Sequence, residues 1–235
     1  MHTPNILRSL LATALLCFAG SVLAAGTPAP FTATYQVLRN GSPIGESTLR
    51  LTRDGSDWTY VSHMRGTSGL ASLLGASVDE TSRFRWHDGK PEALSYDYRM
   101  EAAIKSRQRR VQVDWVKDTV QVTDGGKRFD YAAKPGLVER HSMPLALGYA
   151  LADGARHVAL PVAVKDRVEI QRYAITGKSE VNVPAGRFDA VRVDRTDDSK
   201  NFSAWYVPKR YPVPVKLAQR AGGHLTLLLK SFRRD

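Results

Sequence analysis

Apolar and polar residues alternate along almost the whole of this chain. Phe31, Ala33, Tyr35 and Val37 are interleaved with Thr32, Thr34 and Gln36. Successive side chains of a strand point to opposite faces, so such a segment buries one face and wets the other. Asn40-Gly41 follows at once. That dipeptide accepts the positive φ of a tight hairpin turn. Ile44–Arg53 then reads as the return strand and Asp54-Gly55-Ser56-Asp57 as the next turn.

The same grammar repeats. Trp58–Arg65 and Val78–Trp86 read as strands. In Leu94–Ala103, Tyr96, Tyr98 and Met100 take one face, and Asp97, Arg99 and Glu101 the other. Ser106–Val116 puts Val111, Val113 and Trp115 together. Strand-like segments resume at His157 and continue to Phe232, with Pro161, Pro184, Pro208, Pro212 and Pro214 placed at strand ends. Roughly twelve to fourteen short strands result. The expectation is a mainly β fold, a strongly curved antiparallel sheet rolled into a partly closed barrel. A two-sheet sandwich is the alternative.

Two segments break the alternation. Ser142–Asp153 reads as a helix, with Ser142 able to cap it, Pro144 in its first turn and Gly154 where it stops. Gly66–Ser77 is uncharged. Ser68 can cap a short helix there, Leu70, Leu73 and Leu74 share a face, and Gly75 can end it. Two roles fit this segment. It is a leucine plug in the end of the barrel, the first choice because Leu at helical spacing is usually core. Or it is a movable lid, or a membrane-touching tip, over an apolar pocket.

The N-terminus has the build of a secretory signal peptide: Arg8, the apolar run Leu10–Val22, and small residues up to Ala24. The run is shorter than the roughly 20 residues of a spanning helix. Residues 1–24 are read as the signal, cleaved near Ala24, and 25–235 as one β-rich domain in the periplasm, with membrane association open. Cys17 lies within the signal, so the mature chain holds no disulfide and must rely on its core. The net charge of +11 fits either a solvated basic surface or anionic partners such as a membrane or a lipopolysaccharide surface. Nucleic acid is not expected in an exported protein.

No catalytic motif stands out, no metal site is spaced for coordination, and no cofactor is implied. His63, His87, His141, His157 and His224 are scattered singly. Asp194, Asp197 and Asp198 read as turn composition. They lack the spacing of a calcium loop. Lys105–Arg110 is the densest positive run, with Lys105, Arg107 and Arg109 on one strand face and Arg110 on the other. It reads first as a solvated strand start whose charges guard against edge pairing, and second as an anion contact. The strand aromatics either fill a core or line an apolar cavity. Leu70, Leu73, Leu74, Tyr96, Tyr98 and Trp115 are the candidates for contact with an apolar ligand.

Several blocks together resemble one family. They are Phe31-x-Ala33-x-Tyr35, Gly41-x-x-Ile44-Gly45, Pro91-x-x-Leu94-x-Tyr96, Val183-Pro184-Ala185-Gly186-x-Phe188-x-Ala190, and Trp205-Tyr206-x-Pro208. The chain is similar to exported Gram-negative envelope proteins catalogued as a domain of unknown function. More distantly it resembles the half-barrel periplasmic carriers of lipoproteins, in which a curved sheet holds acyl chains under helical lids. The resemblance transfers no catalytic residue. It implies a non-enzymatic periplasmic protein that binds or carries a lipid or another apolar envelope molecule. The alternatives are an interaction or structural module with a filled core, and an enzyme acting on envelope glycans or lipids.

Overall fold

The computed structural model describes residues 27–198, 202–220 and 224–235. The signal-like segment and Cys17 lie outside them. Eight strands come first: β1 (Phe31–Arg39), β2 (Ser42–Asp54), β3 (Asp57–Gly66), β4 (Ser77–His87), β5 (Lys90–Ala102), β6 (Lys105–Asp114), β7 (Thr119–Asp124) and β8 (Lys127–Ala132). The short helix α1 (Gly69–Leu73) sits between β3 and β4. A two-residue strand β9 (Val138–Glu139) and helix α2 (Met143–Ala152) follow. Six more strands complete the chain: β10 (His157–Ala163), β11 (Val168–Val183), β12 (Gly186–Arg195), β13 (Phe202–Tyr206), β14 (Lys216–Gln219) and β15 (Leu225–Arg234).

All of them form one 15-stranded sheet in the order β8-β7-β6-β5-β4-β3-β2-β1-β15-β14-β13-β12-β11-β10-β9. The sheet is two meanders joined where β1 pairs with β15. Every pairing is antiparallel except β9 with β10. Tight turns drive the meander, as the alternation predicts. Asn40 and Gly41 take φ of 51° and 82°, the conformation that matches hairpin twist. Pro184-Ala185-Gly186 closes the β11–β12 hairpin, and Phe188 and Ala190 are both buried.

The sheet is strongly curved and its ladder does not close. Each strand adds twist, so a sheet this wide brings its two edges near one another. Residues 133–137 are all that separate β8 from β9, a reach of about 20 Å at most. The seam is held at single points. The Ala93 N–H donates to the Leu137 carbonyl at 2.8 Å, and the Tyr131 hydroxyl to the Val164 carbonyl at 2.8 Å. A rolled, partly closed sheet is therefore the fold, and a two-sheet sandwich is not.

α2 fills the interior. Parallel neighbours such as β9 and β10 need a crossover connection, usually a helix, and α2 is that crossover. Met143, Leu145, Ala146, Leu147, Gly148 and Leu151 are all buried. Leu145 packs with Phe31, Tyr35 and Tyr60, while Met143, Leu147 and Leu151 pack with Tyr173, Val193 and Tyr206. Two buried phenols find carbonyl acceptors: Tyr206 donates to Pro144 and Tyr35 to Pro214, each at 2.8 Å. The helix lies so near the Pro212 segment that a Cβ on Gly148 would come within 1.9 Å of the Pro212 oxygen. Ser142 precedes the helix without a side-chain cap bond. Glu139 accepts from the His141 and Ser142 amides instead.

Two local expectations differ. Pro161 lies inside β10, where β9 covers only Val162 and Ala163, so the missing N–H falls on an otherwise open edge. Arg167–Thr176 and Ser179–Val183 run on as the single strand β11 through a bulge between Ile175 and Gly177. The Lys105–Arg110 run opens β6, which pairs with β5 from Lys105 but with β7 only from Arg109 onward, so Lys105–Arg107 keep one side without a strand neighbour.

Candidate functional site

Residues paired across neighbouring strands share a face, and register therefore maps the inner face row by row. The row Phe31, Leu51, Tyr60, Ser82, Tyr96 and Val111 lies deepest, and every member is buried. Toward the α1 end comes Ala33, Leu49, Ser62, Glu80, Tyr98 and Arg109, which continues to Asp124 in β7. The next row is Tyr35, Ser47, Met64, Val78, Met100 and Arg107. From β3 to β6 this last row passes from thioether and valine to guanidinium. An apolar floor thus abuts a basic wall.

The floor belongs to a groove of about 580 Å³, lined chiefly by Val37, Ile44, Met64, Leu70, Ala71, Leu74, Val78 and Met100. α1 forms its lip. None of the α1 residues is buried. Leu70 is 73% exposed and Leu73 80%. The plug reading of Gly66–Ser77 is overturned. The interior is already occupied by α2, so the leucines have no core to enter, and only Leu74 is half-buried. α1 is nonetheless tethered. The Ser68 hydroxyl donates to the Pro43 carbonyl at 2.7 Å rather than capping the helix. The Ala103 amide donates to the Leu74 carbonyl at 3.0 Å. That bond sets the β5–β6 turn against α1, and Ile104 on the turn is 87% exposed. Gly66 permits the close approach of α1, since a Cβ there would lie 2.5 Å from the Ala71 carbonyl.

Next to Met100, Tyr96, Tyr98, Arg107, Arg109 and Arg140 line a cavity of about 40 Å³. Arg107 and Arg109 reach the buried Asp124 carboxylate at 3.1 and 2.7 Å. Burial alone would raise the Asp124 carboxyl, but hydrogen bonds and charge from the two arginines outweigh it and hold it below the usual carboxylate range. The Tyr96 hydroxyl donates to Glu80 at 2.5 Å. Burial, and then the Glu80 and Glu139 charges, push that phenol far up, so it remains a donor. Tyr98 is raised as well, by burial and then by Glu80.

The predicted site residues separate accordingly. Leu70, Leu74, Tyr98, Arg107 and Arg109 come together at the α1 end. Tyr96 is buried and reaches the small cavity by its edge. Leu73 points out to solvent. Lys105 is exposed on the same face as Arg107. Trp115 is not part of the site. Its indole N–H donates to the Ala93 carbonyl at 2.9 Å, under Arg85. Arg140, Glu80, Met64, Val78 and Met100 were not singled out as site residues. The methionines and Val78 could have been found from period two on adjacent strands. Arg140 arrives from the β9–α2 connection and has no local signal.

Ser82 and His141 meet at 2.8 Å through Oγ and Nδ1. Both are buried, the imidazole stacks on Tyr60 at 4.6 Å, and Nε2 has no hydrogen-bond partner among the described residues. Ser82 is 0% exposed, which leaves no approach for a substrate. The pair is a core contact. The Asp194–Asp198 patch is consumed locally: Asp194 binds Arg192, Thr176 and Ser203, and Asp197 binds Arg195. Among the described residues no group of His, Cys, Asp or Glu is placed to hold a metal ion. No described helix is long and apolar enough to cross a membrane.

The family model of a protein of unknown function, DUF3108, matches residues 31–230. The chain belongs to this family. The match begins at the first residue of β1 and ends within β15, so it spans the whole sheet. No curated protein matches the sequence. Among solved structures, the chain is similar to the crystal structure of a β-barrel-like protein of the domain of unknown function DUF1849 from Brucella abortus. That similarity has 11% sequence identity and a TM-score of 0.48, and covers 88% of this chain and 98% of that one.

Proposed function

We propose that this protein is a non-enzymatic binder of an apolar chain, and that the chain lies in the groove beneath α1. The observation that carries the reading is the groove itself: about 580 Å³ over an apolar floor, with exposed leucines at its lip. Its volume falls within the roughly 300–1,000 Å³ of small-molecule sites. Each methylene taken from water into such a groove contributes about 0.8 kcal/mol. The half-barrel carrier analogy moves in one respect. Here the ligand would not occupy the barrel interior, because α2 fills it. It would lie at the end of the sheet.

The lip also fits a lipid surface. Leu70, Leu73 and Ile104 project at the α1 end, with Lys105 immediately after Ile104. An apolar tip beside basic residues suits the headgroup boundary of an anionic membrane. The signal-like N-terminus supports the same reading, a protein working at an envelope membrane in the periplasm.

The test is direct. Protein purified from membrane-containing cells is examined by native mass spectrometry for co-purified lipid and titrated with a fluorescent acyl probe. Wild type is expected to carry or bind an acyl chain. Leu70→Asp and Leu74→Asp are expected to weaken probe binding at least tenfold with the fold retained. A clean apo protein that binds no apolar probe would overturn the reading and favour a structural module.

A further inference from the structure

We propose that the small cavity beside Met100 is a carboxylate-binding subsite, so that the ligand of the groove is an acyl chain ending in a free carboxylate. The inference rests on the groove reading above and adds the chemistry of the ligand's head.

Position comes first. Met100 lines the groove and Tyr98 lines the small cavity. They lie two residues apart on the same face of β5, about 7 Å at strand rise. Arg107, the cross-strand partner of Met100, lines the small cavity as well. A chain lying along Val78 and Met100 therefore brings its end to the arginines with no further turn.

Donors come second. The Arg140 guanidinium has no carboxylate within ion-pair distance among the described residues, and the Tyr98 hydroxyl has no hydrogen-bond partner among them. Both line the cavity. Arg107 and Arg109 bring further N–H groups while sharing Asp124. Planar guanidinium forks suit a carboxylate, which accepts two bonds in one plane.

Charge and size then narrow the ligand. Arg107 and Arg109 share Asp124, and Glu80 and Glu139 act on Tyr96, so Arg140 is the guanidinium left without a close carboxylate among the described residues, and one added carboxylate is what it can pair with. The cavity of about 40 Å³ holds about three water-sized atoms. That is a carboxylate group, with one carbon and two oxygens. A phosphodiester head is larger and more highly substituted.

Calorimetric titration below the micellar limit separates the possibilities. The ligands are palmitate, the uncharged monopalmitoylglycerol and lysophosphatidylglycerol. The proteins are wild type, Arg140→Gln and Tyr98→Phe. Arg140 is exposed, so its replacement leaves the core untouched, and circular dichroism checks both variants. Palmitate is expected to bind wild type at least tenfold more tightly than monopalmitoylglycerol. Arg140→Gln should remove most of that preference and Tyr98→Phe part of it, both leaving the uncharged ligand unchanged. Equal binding of palmitate and monopalmitoylglycerol, insensitive to Arg140, would overturn the subsite and leave the groove reading intact. Tighter binding of lysophosphatidylglycerol than of palmitate would overturn the choice of carboxylate. Binding of none of the three would overturn both readings.

Discussion

Ser82 and His141 illustrate what a single buried contact costs to disturb. Among the described residues the imidazole Nε2 is already without a partner, and Nδ1 relies on the Ser82 hydroxyl. Ser82→Ala would leave both ring nitrogens bare in the core. The expected loss is about 1–3 kcal/mol, read as a lower urea midpoint at unchanged m-value. A change under about 0.5 kcal/mol would mean that the ring finds another partner. Arg107 and Arg109 make a contrasting case. Their charges are partly spent on Asp124, so they hold the wall of the small cavity as much as they attract an anion. Arg140 is the guanidinium left over, which is why it is the informative residue for ligand binding.

The two helices test the scale of elements. Both offer leucines at helical spacing, and both follow a serine and stop near a glycine. One is core and the other is surface. Leu147 in α2 is 0% exposed, and Leu147→Ala should cost about 2–5 kcal/mol through lost transfer energy and the cavity left behind. Leu70 in α1 is 73% exposed, and Leu70→Asp should change stability by no more than about 0.5 kcal/mol. Thermal or urea unfolding of the two variants checks both numbers. A large loss from Leu70→Asp would restore the plug.

For the whole molecule, the join between β1 and β15 matters most. It pairs Phe31 with Arg234 and Arg39 with Leu225, so the first and last strands of the sheet zip the two meanders together. Truncation after Gln219 would remove β15, expose the backbone edges of β1 and β14, and uncover Tyr35 and Ala33 on the inner face. Such edges recruit other chains. The expected outcome is loss of a cooperative unfolding transition and aggregation, seen by circular dichroism and size-exclusion chromatography. A truncated chain that still unfolds cooperatively as a monomer would show that the two meanders hold together around α2 without β15.

Alternation and turn chemistry made most of the strands legible. The side-chain period of two is a property of the extended backbone itself, and Asn40-Gly41 or Pro184-Ala185-Gly186 announces a turn through local φ preferences alone. The common face of Tyr98 and Met100, and that of Lys105, Arg107 and Arg109, followed from the same period. Local pattern reports which residues share a face of one element. It does not report what lies opposite. Only the tertiary structure decided that α2 and not α1 occupies the interior, because that depends on the parallel β9–β10 pairing and the crossover it requires. Only the ladder registers set Met100 against Arg107 and Ser82 against Tyr96, and only the rolling of the sheet carried Arg140 to Tyr98 and His141 to Ser82. The meetings of Arg140 with Tyr98 and of His141 with Ser82 join residues far apart in the chain. Their free energy comes from closing the sheet around its helix, a quantity that no short window of sequence contains.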